Sequence, residues 1–145
     1  MDARDTPSRV RALPTWLLNR AAARASRLVA DRTAELGVTR TTYSLLAALD
    51  EFGPASQAEL GRRLGLDRKD VSSVVGVLER DGLINRTADP ADARRKTLGI
   101  TPAGTRMLAR LDDAIALAQE DLLAALPVRD RSELARILAV LADPA

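Results

Sequence analysis

Apolar side chains recur every three to four residues along most of this chain, and this spacing predicts a mainly α-helical fold. Polar residues fill the intervening positions, so each helix would have one buried face and one exposed face. Two short runs, at residues 83–87 and 96–100, have the composition of β-strands instead. The inward faces include Phe52 and Ala58. The predicted helices cover about residues 13–36, 39–52, 56–64, 67–81, 102–126 and 128–141.

The middle of the chain has the order of elements of a winged helix-turn-helix. Ser56 and Glu59 have the spacing of a capping box at the start of a short helix. Gly65 suits the tight turn between two packed helices, and Asp67 is a good cap for the second one. The two β-prone runs then enclose a charged loop with an Asp-Pro turn. We therefore expect a mainly α fold with a small β-wing.

The composition narrows the class of protein. At 145 residues, with 46% hydrophobic and 29% charged positions, the chain is long enough to form one globular domain with its own core. It contains no Cys and no His, which excludes disulfides and thiolate chemistry and removes the usual ligands of zinc. We expect no enzyme activity, no cofactor and no metal site. The charged start and the lack of a long apolar run predict a cytoplasmic protein.

Cationic and hydroxyl side chains on the helix at 67–81 and on the charged loop are suited to DNA binding, although the net charge of +2 is by itself a weak indication. Arg and Lys donate hydrogen bonds to guanine and to phosphate, and Ser can bond to either. A guanidinium at a wing tip can enter a narrow minor groove, and an acid two residues away can hold it in place. The alternative is a solvated amphipathic helix and a soluble charged hairpin. The candidate DNA-contacting residues are Ser56, Gln57, Arg68, Lys69, Ser72, Ser73, Arg86, Asp92, Arg94, Arg95 and Lys96.

Residues 89–104 contain the motif Asp-Pro-x-Asp-x-Arg, followed by Leu-x-Ile-Thr-x-x-Gly. Together with the helix-turn-helix before it, this segment resembles the MarR family of bacterial transcriptional regulators, and the resemblance extends over about residues 10–142. It implies a homodimeric DNA-binding regulator, a repressor that a small aromatic or anionic ligand releases from a pseudo-palindromic site. Arg94 resembles the wing arginine that enters the minor groove, and Asp92 resembles the acid beside it.

Residues 1–12 have no apolar period and are predicted to form a flexible tail. The resemblance implies that residues 13–142 form one MarR-type domain. Within that domain the DNA-binding lobe covers about residues 55–101, and the dimerisation helices cover about residues 13–36 and 102–142.

Some positions depart from the family pattern. Ser73 and Val77 are neutral where recognition helices of the family often carry basic residues. Ala93 stands where many members have a second cation, and the wing cations are moved to Arg95 and Lys96. These departures favour a lower affinity for DNA than in typical members of the family, or recognition of a different DNA sequence. They also motivate a second hypothesis, a winged-helix module that contacts proteins and has lost DNA binding.

Apolar residues near both ends of the chain form stripes that a second copy of the chain would bury. The alternative is that both ends pack on the long helix of the same chain. The predicted dimer-interface residues are Leu13, Trp16, Leu17, Leu134, Ile137, Leu138 and Leu141.

The aromatic residues predict a ligand pocket. Trp16 and Tyr43 are suited to form a ring-stacking wall, with an arginine one helical turn from Trp16 as the partner of an anion. The alternative is that both rings belong to the core. The candidate ligand-binding residues are Trp16, Arg20, Arg24, Tyr43, Met107 and Leu111.

Overall fold

The computed structural model describes residues 2–145, which form seven helices and one two-stranded antiparallel sheet. The predicted mainly helical fold with a small β-wing is confirmed, and one turn of helix, α1, lies in the segment predicted as a flexible tail. No helix within residues 2–145 is both long and apolar enough to cross a membrane. The elements in chain order are α1 (Ser8–Arg11), α2 (Pro14–Glu35), α3 (Arg40–Phe52), α4 (Gln57–Leu64), α5 (Arg68–Arg80), β1 (Ile84–Ala88), β2 (Lys96–Ile100), α6 (Pro102–Leu123) and α7 (Val128–Ala142).

The two helices of the helix-turn-helix begin at residues whose side chains cap them. The Ser56 hydroxyl accepts a hydrogen bond from the Glu59 N–H at 3.2 Å, and the Glu59 carboxylate accepts one from the Ser56 N–H at 3.3 Å. The Asp67 carboxylate accepts from the Asp70 N–H at 2.8 Å at the start of α5. Between the helices Gly65 has a φ of 64°, a left-handed conformation that favours glycine. Local chemistry therefore fixes both helix starts and the turn between them.

Aliphatic side chains of α3, α4, α5, β2 and α6 form the core. A fully buried leucine or valine contributes about 1.5–3 kcal/mol relative to its exposed state, so this cluster fixes the inward faces of α4 and α5. The opposite faces are left to solvent. The large residues with almost no exposed surface are Leu45, Leu46, Leu60, Val71, Val75, Leu78, Leu98 and Leu111.

Residues 84–100, called the wing below, form the antiparallel pair of β1 and β2, in which Ile84 lies opposite Ile100. A separate bridge joins Ala55 to Leu98 through backbone hydrogen bonds of 3.0 and 2.8 Å. Because Ala55 immediately precedes the cap of α4, this bridge attaches β2 to the first helix of the helix-turn-helix.

The first turn of α6 is joined to the turn between α5 and β1. Thr101 caps α6 by accepting from the Gly104 N–H at 3.0 Å, and its hydroxyl donates to the Gly82 carbonyl at 2.6 Å. The Thr101 N–H donates to the Leu83 carbonyl at 3.1 Å. Gly104 is buried against the same carbonyl, where a Cβ atom would overlap it. The start of α6 is therefore hydrogen-bonded to the backbone of the turn that follows α5.

α2 packs along α6, and arginine side chains join the two helices near the end of α6. Arg24 donates to the carbonyls of Asp121 and Leu122 at 3.2 and 3.1 Å. The Arg32 Nη2 lies 2.7 Å from the Asp121 carboxylate, and this hydrogen bond raises the pKa of Arg32. Cations at this position also complement the negative end of the helix dipole.

Two residues predicted to face inward are exposed, so both predictions are wrong. Phe52 is the last residue of α3 and is 59% exposed. The Arg63 guanidinium covers its ring at 4.9 Å from the centroid, in place of the core. Ala58 is exposed on a groove between α4 and α5. Phe52 is at the end of α3 and Ala58 is in the first turn of α4, and apolar spacing alone does not show whether a residue at a helix end is covered.

Candidate nucleic-acid interface

The solvent-facing side of α5 carries the predicted cations and hydroxyls. Val71 and Val75, on the inward side, are each 1% exposed. The first turn of α5 also has the partial positive charge of a helix N-terminus, which favours phosphate. This helix therefore offers several hydrogen-bond donors to solvent. The four predicted contact residues on it are all exposed: Arg68, Lys69, Ser72 and Ser73.

The start of α4 contributes polar groups beside α5. Ser56 and Gln57 are both half-buried. The Ser56 oxygen is the cap acceptor of α4, and its hydroxyl keeps one proton to donate. Gln57 and Arg68 line the groove between α4 and α5 together with Arg62, a cation that the sequence analysis did not select. The helical spacing could have indicated Arg62, which lies near the end of the same short helix.

The tip of the wing holds Arg94 out into solvent. Both the backbone N–H and the Nε of Arg94 donate to the Asp92 Oδ1, at 3.1 and 3.3 Å, and the arginine side chain is 92% exposed. Asp89 closes the loop, because its carboxylate accepts from the Ala91 N–H and its own N–H donates to the Arg95 carbonyl, both at 2.9 Å. An exposed ion pair adds at most about 1 kcal/mol, so Asp92 acts mainly to orient the guanidinium.

Arg86 differs from the other wing cations because its guanidinium is bonded to a residue outside the wing and its side chain is 38% exposed, against 92% for Arg94. Its Nη2 and Nε donate to the two carboxylate oxygens of Glu79, on α5, at 2.7 and 3.4 Å. These hydrogen bonds lower the pKa of Glu79 and raise that of Arg86, which keeps both groups charged at neutral pH. The sequence analysis missed Glu79, because this contact depends on the angle between α5 and the wing.

Three of the residues predicted to line a ligand pocket, Tyr43, Met107 and Leu111, lie at the core. Leu111 is completely buried there. Met107 is partly buried against the same core. The Tyr43 hydroxyl donates to the Asp112 carboxylate at 2.9 Å, and this hydrogen bond raises the pKa of Tyr43. Within residues 2–145 there is also no group of three or more acidic side chains that could hold a metal ion.

The remaining predicted ligand residues lie along α2. The Arg20 guanidinium stacks over the half-buried ring of Trp16 at 5.4 Å from its centroid. Arg20 and Arg24 line an open groove with Leu17 and Arg27. This groove combines an apolar floor with several cations.

The apolar stripes near the two ends are largely exposed. Leu13 and Leu17 are 49% and 51% exposed, and no residue of α7 is buried. The long helix α6 of the same chain therefore does not cover α7, which contradicts the alternative that α7 packs within one chain. Trp16 and Leu134 are half-buried, whereas the exposed members of the α7 stripe are Ile137, Leu138 and Leu141.

Two curated proteins are similar to this chain in sequence. The relative from Thauera aromatica named as a transcriptional regulatory protein for the hcr operon is 35% identical over 102 residues, 70% of this chain and 61% of the relative. The HTH-type transcriptional repressor NicR from Pseudomonas putida is 28% identical over 104 residues, 72% of this chain and 66% of the relative. The matches thus cover under two thirds of the length of either relative.

A family model and a solved structure also match. The model, described as the MarR family, matches residues 36–95. The crystal structure of a probable transcriptional regulator from Pseudomonas aeruginosa is 34% identical, with a TM-score of 0.78 over 90% of this chain and 98% of that one. The structural similarity therefore extends well beyond the residues that the family model matches.

Proposed function

The chain belongs to the MarR family of transcriptional regulators, and on that premise we propose that it is a homodimeric, sequence-specific DNA-binding regulator. In this proposal α5 enters the major groove and the wing contacts the neighbouring minor groove. The observation that supports it best is the combination of an exposed donor-rich face on α5 with a wing arginine that Asp92 holds out into solvent. The proposed contacts are Ser56, Gln57, Arg68, Lys69, Ser72, Ser73, Arg94, Arg95 and Lys96, with Asp92 as the orienting acid.

We propose that a second copy of the chain covers the exposed apolar stripes near both ends. In a monomer, α7 would have no buried residue and would gain little from packing. Two protomers related by a two-fold axis would bury the stripes of both chains. The same axis would place two copies of α5 in successive major grooves, about 34–36 Å apart along B-form DNA, so the preferred site is pseudo-palindromic.

We propose further that the protein is a repressor that a small aromatic or anionic ligand releases from DNA. Repression, as opposed to activation, is supported by the name of the Pseudomonas putida relative, which is a transcriptional repressor. The groove along α2 supports the ligand class, because three arginines, Arg20, Arg24 and Arg27, line it together with apolar Leu17, and Arg20 lies over the ring of Trp16. Guanidinium groups beside an aromatic ring suit a carboxylate or a phenolate.

The test of DNA binding is an affinity measurement on the Arg94→Ala variant. The preferred site is first selected from a random duplex library with the parent protein, and binding is then followed by fluorescence anisotropy. Loss of a charge-assisted contact of about 1.5–3 kcal/mol corresponds to roughly a 10- to 100-fold weaker affinity. Arg129→Ala is the matched control, because Arg129 is also highly exposed, at 85%, and pairs with the neighbouring Asp130 at 3.7 Å.

We expect the control to bind like the parent and both variants to keep the parent helix content by circular dichroism. Equal affinities of Arg94→Ala and the parent would refute the role of the wing. A parent protein that shows no salt-dependent binding to any duplex would refute DNA binding altogether. The remaining hypothesis would then be a winged-helix module that contacts proteins. The observation that supports it is Val77 on α5, which is neutral and 43% exposed.

A further inference from the structure

The Glu79–Arg86 pair connects the last turn of α5 to the first strand of the wing. Its two hydrogen bonds involve both carboxylate oxygens and two nitrogens of the guanidinium, a fork that fixes direction as well as distance. The side chains are 32% and 38% exposed, whereas Arg94 at the tip is 92% exposed. Within residues 2–145 no other side-chain hydrogen bond joins α5 to either strand of the wing.

The apolar packing of the wing comes from Ile84 on β1 and from Leu98 on β2, which is 1% exposed and lies opposite Arg86. Ile84 is buried at 3%, but the other residues of β1 are exposed. Arg86 lies two residues beyond Ile84 and so leaves the strand on the same face, toward α5. Along β1, the Glu79–Arg86 pair therefore adds a polar contact with α5 beyond the buried Ile84.

We propose that Glu79 and Arg86 are positioning residues that set the angle of the wing to α5, and that Arg86 does not itself contact DNA. This inference rests on the proposed function and reassigns Arg86 from the predicted contacts. Two nitrogens of the Arg86 guanidinium are bonded to Glu79 and its side chain is 38% exposed, whereas the Arg94 guanidinium has one bond, from Nε to Asp92, and its side chain is 92% exposed. Arg86 therefore has fewer free donors for phosphate than Arg94. A fixed wing angle, in contrast, lets the guanidinium of Arg94 at the wing tip reach the minor groove with a smaller ordering cost at binding.

The Glu79→Gln variant separates the two roles by the sign of its effect. If Arg86 contacted DNA, removing the Glu79 charge would release the guanidinium and remove a repulsive anion, and DNA binding would strengthen. If the pair positions the wing, binding weakens, by about two- to fivefold for a partly exposed pair. The matched control is Glu133→Gln, because Glu133 pairs with Arg136 on α7 through two hydrogen bonds of the same kind.

A double-mutant cycle with Arg94→Ala tests whether the pair acts through the wing tip. We expect Glu79→Gln to weaken binding in the parent but to change it by less than about 1.5-fold once Arg94 is alanine, because the effects of coupled residues do not add. A change of equal size in both backgrounds, or stronger binding by Glu79→Gln, would overturn the proposal.

Hydrogen exchange without DNA gives a readout that does not depend on the proposed function. We expect faster amide exchange across residues 84–96 in Glu79→Gln and parent-like exchange in Glu133→Gln. Unchanged exchange in the wing would show that the pair does not hold it, and would overturn the inference. If the parent binds no duplex, the proposed function fails, and the exchange result still decides whether the pair fixes the wing.

Discussion

Gly104 occupies a position where a methyl group has no room, and its replacement by alanine tests the junction between α6 and the α5–β1 turn. A Cβ atom at this position would overlap the backbone carbonyl of Leu83 and lie 2.7 Å from the Cγ1 of Ile100. The obstacle is backbone, so it cannot rotate away as a flexible side chain would. Either the first turn of α6 or the turn after α5 has to move.

The expected cost follows from these contacts. Inserting a methyl group into a well-packed site costs about 1–3 kcal/mol. Displacing the Leu83 carbonyl also weakens its hydrogen bond from the Thr101 N–H, which is worth about 1 kcal/mol. The gain in helix propensity from glycine to alanine, up to about 1 kcal/mol, offsets part of this. We expect a net loss of about 1–3 kcal/mol, which lowers Tm by roughly 3–10 °C.

Gly76→Ala is the matched control, since Gly76 is also helical and a Cβ atom there meets nothing within 4 Å. Gly76→Ala gains the stability that comes from the higher helix propensity of alanine and creates no overlap, so its Tm should rise by roughly 1–4 °C. Thermal unfolding of both variants is followed by far-ultraviolet circular dichroism at one protein concentration, because dimerisation makes Tm depend on concentration. If Gly104→Ala were as stable as the parent, or stabilised like Gly76→Ala, the close packing of α6 on the turn would be refuted.

Two further predictions concern the tyrosine and the last helix. Tyr43 is the sole tyrosine, so its ionisation can be followed by absorbance at the tyrosinate band. We expect a midpoint above the ordinary value of about 10, because the hydroxyl donates to Asp112, and a lower midpoint in Asp112→Asn. Because the pKa of Tyr43 is raised in the folded protein, the contact stabilises the fold fully at any pH below the pKa of tyrosine in the unfolded chain. This stabilisation is lost as the pH rises through the pKa of Tyr43 in the folded protein. An unshifted midpoint would contradict the contact. Ile137→Asp combined with Leu141→Asp should convert a dimer to a monomer in sedimentation equilibrium, because both exposed side chains would carry charge into the proposed interface. A variant that stays dimeric would show that the interface lies elsewhere.

Features set by local chemistry could be predicted from the sequence. The capping box of Ser56 and Glu59, the left-handed Gly65 and the Asp67 cap are all present where the spacing indicated them. Each depends on residues within three positions of one another, so no knowledge of the tertiary fold was needed. The pairing of Asp92 with Arg94 belongs to the same class.

Features that depend on the angles between elements could not be predicted. From the sequence Arg86 is expected to contact DNA, because nothing local indicates Glu79, seven residues earlier, as its partner. Leu111 is expected to line a pocket, because a leucine on a helix does not reveal which neighbours cover it. Such contacts follow from how the wing packs against α5 and how α6 packs against α3 and β2, which a periodic pattern of apolar residues leaves undefined.

The hydrogen bonds from Thr101 to Gly82 and Leu83 join the start of α6 to the turn that connects α5 to the wing, so a movement of that end of α6 acts directly on this turn. A helix of 22 residues is about 33 Å long, so a tilt of about 5° displaces one end by about 3 Å, close to the rise of one base pair. In a two-fold assembly, a small rearrangement at the far end of the two α6 helices would thus change the distance between the two copies of α5 and their wings along the duplex.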